Sequence, residues 1–339
     1  MGAAALTSRA IIGRMYYQIE QGARASWVPK VSRLFKSDQG SEEYPWLGQT
    51  SPLRKWKGER FAKGLRDNNK VTIVNDLYEG TLEVDIRELR RDKTGQINAR
   101  IDDLGARTVQ HWAVLLSDLI NNGHIGTGPG LVAYDGQFFY DVDHVDVGAP
   151  NQTSQDNDLA VDISALPSSQ HGSTTSPSVG EMVLSVLQGI QQILSFKDDQ
   201  GEPINDMVQE FVVMVPVNLW TAVASAVAAD YVEEGQRNPL QAGQSLRVLP
   251  MINARLTATD TFFVFRSMGP VAALLRQVEV PNQGGQDASD GDSEADVIVS
   301  ALAEGSEEAM KFHRHLYGVE ASRGAGYGYW QYSCRVQLI

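Results

Sequence analysis

Cysteine is almost missing from this sequence: Cys334 stands alone among 339 residues. An intrachain disulfide and a cysteine-based zinc site are both excluded, and Cys334 reads as a buried strand residue. No apolar run approaches the roughly 18 to 20 residues needed to span a bilayer, and the opening MGAAALTSRAIIGRM lacks the ordered charged, apolar and cleavage regions of a secretion signal. The reading is a chain made and kept in the cytosol, with no membrane partner. Catalytic signatures are missing too. No Gly-x-Ser-x-Gly elbow occurs. GHIGTGPG (residues 123–130) lacks the Lys-Ser/Thr ending of a phosphate loop, and GAGYG around Gly326 lacks a strand-turn-helix setting, so both read as turns.

Positive charge is in short supply overall, with 29 Lys and Arg against 42 Asp and Glu, and its placement matters more than its total. Residues 1–100 hold 18 Lys and Arg against 12 Asp and Glu, and the remainder hold 11 against 30. Tight sequence-independent DNA binding needs a dense basic face that displaces counterions, and this chain has none. A basic front and an acidic back suit contacts between copies, because opposite potentials steer encounter and penalise wrong registers.

What is present is an ordinary globular composition, 42% hydrophobic and 21% charged, enough for one large core or two modest ones. Residues 1–45 carry scattered charges and one amphipathic piece from Ile11 to Ile19, so they read as an arm without a core of its own, ordered by packing on a neighbour. From Trp46 to Ile86 a two-residue period, as in Val71, Ile73 and in Leu82, Val84, Ile86, predicts strands. Arg54, Lys55, Lys57, Arg60, Lys63 and Arg66 lie there among bends at Gly58 and Gly64, as a charged projecting hairpin. Asp102 or Asp103 can cap a helix whose apolar positions run from Val109 to Ile120 and which Gly123 ends. Residues 123–177 read as loops with short strands. Ser178 and Glu181 form a capping-box pattern before a second amphipathic helix. Strands are expected at 211–215, 246–249 and 262–265, with an Ala-rich helix from Pro216 to about Tyr231. Residues 281–296 read as an acidic loop, and 327–338 as strand-like alternation.

Asp141, Asp143 and His144 are the sharpest chemical cluster, since carboxylates beside an imidazole can hold a divalent ion or move protons. A metal-dependent hydrolase built on them is the alternative from outside the structural class, but no second cluster supplies the missing ligands. His313 and His315 share a face if extended, again without a third ligand. Trp46, Trp56, Tyr134, Phe138, Phe139, Tyr329 and Trp330 are read as packing and interface residues. On the residues alone the protein is not an enzyme and takes no cofactor.

Four segments carry a family resemblance: PWLGQTSPLRKWKGER (45–60), YDGQFFYDVDH (134–144), SFKDDQGEPI (195–204) and GAGYGYWQYS (324–333). In wording and order they resemble the major head subunit of phage Mu and its prophage relatives. The resemblance implies an α+β chain of the Hong Kong 97-like fold. Its parts would be an N-terminal arm (1–45), an extended loop (46–90) and a peripheral domain (91–177, with a spine helix at about 102–121). An axial domain (178–270) would follow, then C-terminal strands returning to the peripheral domain (271–339). It also implies a virion protein, assembled in the host cytoplasm into pentamers and hexamers of an icosahedral shell. That shell would enclose double-stranded DNA without sequence-specific binding, with separate scaffold, portal and decoration proteins as partners. By the same resemblance the six basic residues between 54 and 66 belong to a loop that lies on an adjacent subunit. A nanocompartment shell of the encapsulin type is the alternative within the same fold.

Overall fold

The computed structural model describes residues 8–23, 26–47, 55–56, 58, 67–91, 95–126, 132–145, 153–168, 170–198, 201–232, 237–241, 246–267, 269, 271–279 and 297–339. The acidic stretch 281–296 and most of the basic segment 48–66 lie outside them.

The chain opens with helix α1 (Ser8–Ala23), one helical turn α2 (Val28–Val31) and strand β1 (Ser32–Ser37). Strands β2 (Ser41–Leu47) and β3 (Asp67–Val74) form a two-stranded ribbon, and β4 (Asp76–Asp85), α3 (Ile86–Arg91) and the long helix α4 (Gln96–Asn122) follow. Strand β5 (Asp158–Val161), helix α5 (Val179–Ser195), β6 (Glu210–Val215), α6 (Trp220–Ala228), β7 (Arg247–Ile252) and β8 (Thr261–Arg266) come next. The last section is β9 (Leu274–Glu279), β10 (Val297–Leu302), α7 (Glu307–Phe312), β11 (Arg314–Tyr327) and β12 (Ser333–Leu338).

Two five-stranded sheets organise these elements. In the first, β1 pairs parallel with β9, β9 and β10 each pair antiparallel with β11, and β4 pairs with β11 as well. The second runs β5-β12-β8-β6-β7. Its inner strands β6 and β8 are nearly continuous apolar runs, as strands covered on both faces must be. Helix α5 turns Met182, Val183, Val186, Ile190 and Ile193 into that core, each such side chain contributing about 1.5 to 3 kcal/mol.

Three expectations change. The N-terminal segment does not lack a core: Ile11, Met15 and Ile19, one turn apart, are buried with Ile101 and Val109 of α4 and Tyr317 and Val319 of β11. Their partners lie 82 to 98 residues away on α4 and 298 to 308 away on β11, which periodicity cannot reveal. Helix α4 starts six residues before Asp102, after Gly95 in the left-handed region (φ 75°). Asp102 caps nothing and instead takes both Arg14 Nε and Nη2 of α1 at 2.5 Å. The C-terminal strands do not all return to one sheet: β11 belongs to the first, whereas a 3-10 turn at Trp330–Tyr332 redirects the chain so that β12 lies between β5 and β8 in the second. Alternation looks the same in both sheets, so the sequence pattern could not assign β12. Cys334 sits in that strand, buried, and burial raises its thiol pKa well above the ordinary value.

Asn157, fully buried, ties the loop around 134–144 to the turn that leads into β12. Its Nδ2 donates to the Phe139 and Trp330 carbonyls at 2.8 and 3.3 Å, and its Oδ1 accepts from the Asp141 N–H at 2.9 Å. Asn157→Ala should leave these buried groups unpaired and cost on the order of 3 kcal/mol, read as a lower urea midpoint of the unassembled subunit.

The capping box expected at the start of α5 is present, with Ser178 accepting from Glu181 N–H and the Glu181 side chain accepting from Ser178 N–H. Burial works to raise the Glu181 pKa, but the N–H groups of Ser178 and Gly172, the His171 ring and the Ser178 hydroxyl together hold it below the ordinary value. A carboxylate with a lower pKa folded than unfolded stabilises above its unfolded value and loses that contribution as pH falls through the folded one. Glu181→Gln should therefore lower the thermal midpoint at pH 7 and flatten its decline as pH falls below the ordinary glutamate value of 4.5.

Candidate assembly surface

The β2–β3 ribbon is fixed at its base. Its register pairs Ser41 with Val74, Tyr44 with Val71 and Trp46 with Asn69, and becomes irregular between Trp46 and Leu47. At the base, Val71 and Ile73 are buried and the Tyr44 ring lies 5.4 Å from that of Phe35 in β1. The Tyr44 hydroxyl donates to Gln277 Oε1 of β9 at 2.7 Å, and Gln277 Nε2 donates in turn to the Ile73 carbonyl and Asn75 Oδ1. Burial, with Glu42 nearby, pushes the Tyr44 pKa up to about 12. Ile73 crosses β11 where that strand has glycine: a Cβ on Gly326 would meet Ile73 at 2.8 Å, and one on Gly324 would meet the Val74 carbonyl at 2.5 Å. Further out, Lys70 and Glu43 form an exposed ion pair at 2.7 Å, worth at most about 1 kcal/mol.

Of the six basic residues expected in the projecting segment, Lys55 is described and exposed, next to an exposed Trp56 and to Gly58 with φ 97°. Arg54, Lys57, Arg60, Lys63 and Arg66 lie outside the described residues.

The structure separates His144 from Asp141 and Asp143, which stay beside each other. His144 is wholly buried and stacks on Trp330, ring centroids 4.1 Å apart. Its Nδ1 lies 2.7 Å from Asp135 Oδ2 and its Nε2 3.1 Å from Asn157 Oδ1, so both ring nitrogens are engaged inside the core. Asp143 is exposed, and a hydrogen bond to Asp141 together with the charge of that carboxylate raises its pKa. Among the described residues no group of three His, Cys, Asp or Glu side chains could hold a metal ion. His313 and His315 also diverge: His313 is exposed, in the left-handed conformation that ends α7, and His315 is buried beside Tyr317.

What the 134–144 segment does is plug the joint between α4 and the two sheets. Phe139 stacks on Tyr327 at 4.4 Å, Tyr140 bonds the Ser333 hydroxyl at 3.0 Å, and Gln331 Nε2 donates to the Tyr134 hydroxyl at 2.6 Å. Tyr140 packs so closely on Gly123 that a Cβ there would stand 2.7 Å from its ring, which explains why a glycine follows α4. The Tyr327 hydroxyl donates to the Leu119 carbonyl at 2.8 Å, closing the same joint. Sequence reasoning missed Asp135, Asn157 and Gln277. Asp135 lay within the quoted segment, nine residues before His144, whereas Asn157 and Gln277 gave no local signal. Among the described residues no helix is long and apolar enough to cross a membrane.

Comparison with known proteins agrees with this architecture. The family model of the Mu-like prophage major head subunit gpT matches residues 10–165. The Mu-like prophage FluMu major head subunit of Haemophilus influenzae is 28% identical over 135 residues, a match spanning 39% of this chain and 42% of that protein, less than half of either. Two of the four resembling segments fall inside the family match, and the pair at 195–204 and 324–333 falls beyond it. Among solved structures, a subunit of the procapsid of bacteriophage JBD30 superposes with a TM-score of 0.50 at 16% identity, covering 98% of this chain and 76% of its own. A subunit of the mature capsid of bacteriophage PhiM1 gives 0.52 at 10% identity, covering 92% and 87%. Over residues 10–165 the chain is similar to the Mu-like prophage major head subunit gpT, and over nearly all its length it has the α+β, Hong Kong 97-like fold seen in bacteriophage capsid subunits.

Proposed function

We propose that this chain is the major capsid subunit of a tailed bacteriophage or prophage, assembling into pentamers and hexamers of an icosahedral shell around double-stranded DNA. The observation that carries this reading is a capsid-type fold along 98% of the chain together with a gpT-type match over residues 10–165. The subunit acts as a wall and performs no reaction of its own. Scaffold, portal and decoration proteins are its partners during assembly in the host cytoplasm, and the virion is its destination.

In this reading residues 46–90 are the extended loop and α4 is the spine helix of the peripheral domain, whose sheet contains β1, β4, β9, β10 and β11. Residues 178–270 are the axial domain, completed by β5 and β12. Arg54, Lys55, Lys57, Arg60, Lys63 and Arg66 make the inter-subunit contact at the end of the ribbon. Each such contact can be weak, because closure of a shell multiplies many equivalent interfaces. Acidity elsewhere suits a container whose wall must not hold its DNA tightly.

Reversing Arg54, Lys57 and Arg60 to Glu should leave a folded subunit that forms no shells. Electron microscopy of the expressed variant beside the unaltered chain checks this, with far-UV circular dichroism to establish folding. Normal particles from the variant would refute the clamp.

A further inference from the structure

Hydrogen-bond accounting around His144 fixes where its hydrogens sit. Asn157 Nδ2 lies 2.8 Å from the Phe139 carbonyl and 3.3 Å from that of Trp330, and Asn157 Oδ1 lies 2.9 Å from the Asp141 N–H. Reversing this amide would set donor against donor and acceptor against acceptor at all three contacts, so Oδ1 is an acceptor. His144 Nε2 lies 3.1 Å from the same Oδ1 and therefore carries a hydrogen. Across the ring, Nδ1 lies 2.7 Å from Asp135 Oδ2, while Asp135 Oδ1 accepts the Gln137 N–H at 3.3 Å. A contact that short between a carboxyl and an imidazole nitrogen needs a hydrogen between them.

Neither side chain of that pair reaches solvent. Without the second hydrogen, a buried carboxylate would face a ring lone pair with no water to screen either. The neighbouring charges act in the same direction. A hydrogen bond to Asp141 and the charges of Asp141 and Asp135 raise the Asp143 pKa, and His144 opposes the rise. Burial, with the charges of Asp158 and Asp141, raises that of Asp156, and His144 opposes this too. The Arg335 guanidinium of β12 is held by both oxygens of Asp158, at 2.6 and 2.9 Å. Burial, with Arg335 nearby, lowers the pKa of His124, just beyond α4. A positive charge on His144 is thus set among acids, and its ring lies on that of Trp330 with the planes 7° apart, against an aromatic face that attracts cations.

We infer that His144 and Asp135 form a buried proton-binding site, in which one proton taken from water sits on His144 Nδ1 and is held by Asp135 Oδ2. Occupied, the site is an imidazolium beside a carboxylate, with every ring and carboxylate contact satisfied. When the proton returns to water, Nε2 keeps its hydrogen for Asn157, and the Nδ1 lone pair is left against the Asp135 carboxylate. The site bears on the joint itself, because His144 and Asn157 together connect the 134–144 loop, the start of β5 and the turn at Trp330. A proton bound by the folded chain and released on unfolding contributes stability that is complete at low pH and is lost as pH rises. The inference concerns the single subunit and stands apart from the capsid reading.

The test compares the full-length chain with Asp135→Asn, which keeps the shape of the site and replaces the labile hydrogen with a fixed one. In that variant the amide oxygen still accepts from Gln137, and the amide nitrogen donates to Nδ1 of a neutral ring. Thermal midpoints of both unassembled chains are measured from neutrality upward. Relative to the variant, the unaltered chain should lose on the order of 2 °C per pH unit, the slope of one proton. Nitrogen-15 NMR of the histidine-labelled chain supplies the second reading, because hydrogens on a buried ring exchange slowly enough to be seen. One histidine should show hydrogens on both ring nitrogens at neutral pH, and Asp135→Asn should remove the one on Nδ1. Should the variant fail to fold, the spectrum of the unaltered chain decides alone. Parallel pH courses in the two chains, or no histidine ring with two hydrogens in the unaltered chain, would overturn the inference.

Discussion

Among the described residues, the ribbon formed by β2 and β3 takes its packing at its base, and that attachment governs how the molecule can be used. Its base is fixed by a buried amide, Gln277, that joins Tyr44, the Ile73 carbonyl and Asn75, and by two glycines of β11 that let Ile73 lie against the strand backbone. Beyond Val71 nothing in the chain supplies a comparable core among the described residues. Direction is set by the body of the subunit. A root of this kind makes β2 and β3 leave the body at a fixed angle.

A fixed angle is useful only if the body is stiff. Here the loop around 134–144 has its place: Phe139, Tyr140 and His144 fill the joint where the end of α4 meets both sheets, and the Asn157 side chain satisfies three backbone groups from two separate stretches at once. Buried hydrogen bonds of this kind favour one arrangement and penalise those that break them. The side chains that looked most like a catalytic cluster thus serve rigidity. His144 is bound on both nitrogens, and Asp141 and Asp143 are left without it.

Local signals were readable in the sequence, and long-range ones were not. The Ser178 and Glu181 box is legible because donor and acceptor lie three residues apart, and the apolar face of α5 follows from its period. The early start of α4 depends on a left-handed Gly95, and Asp102, which looks like a cap, is taken by Arg14 from 88 residues away. Strand β12 alternates like any edge or inner strand, so nothing in residues 333–338 names the sheet that accepts it. The helical spacing of Ile11, Met15 and Ile19 is visible, but the surface it packs on is not. For the assembly surface the division is the same. Basic residues between 54 and 66 can be read directly, whereas the seating of Ile73 over Gly324 and Gly326 exists only once β3 and β11 are in place.

A subunit built this way should change its dynamics in one place when it assembles. Hydrogen exchange read by mass spectrometry on the unassembled chain and on closed particles addresses that place directly. The account predicts that amides at the ribbon base, around Tyr44 and Ile73, are protected in both forms, and that residues 46–69 gain protection only in particles. Equal and strong protection of residues 46–69 in the isolated subunit, independent of concentration, would contradict it.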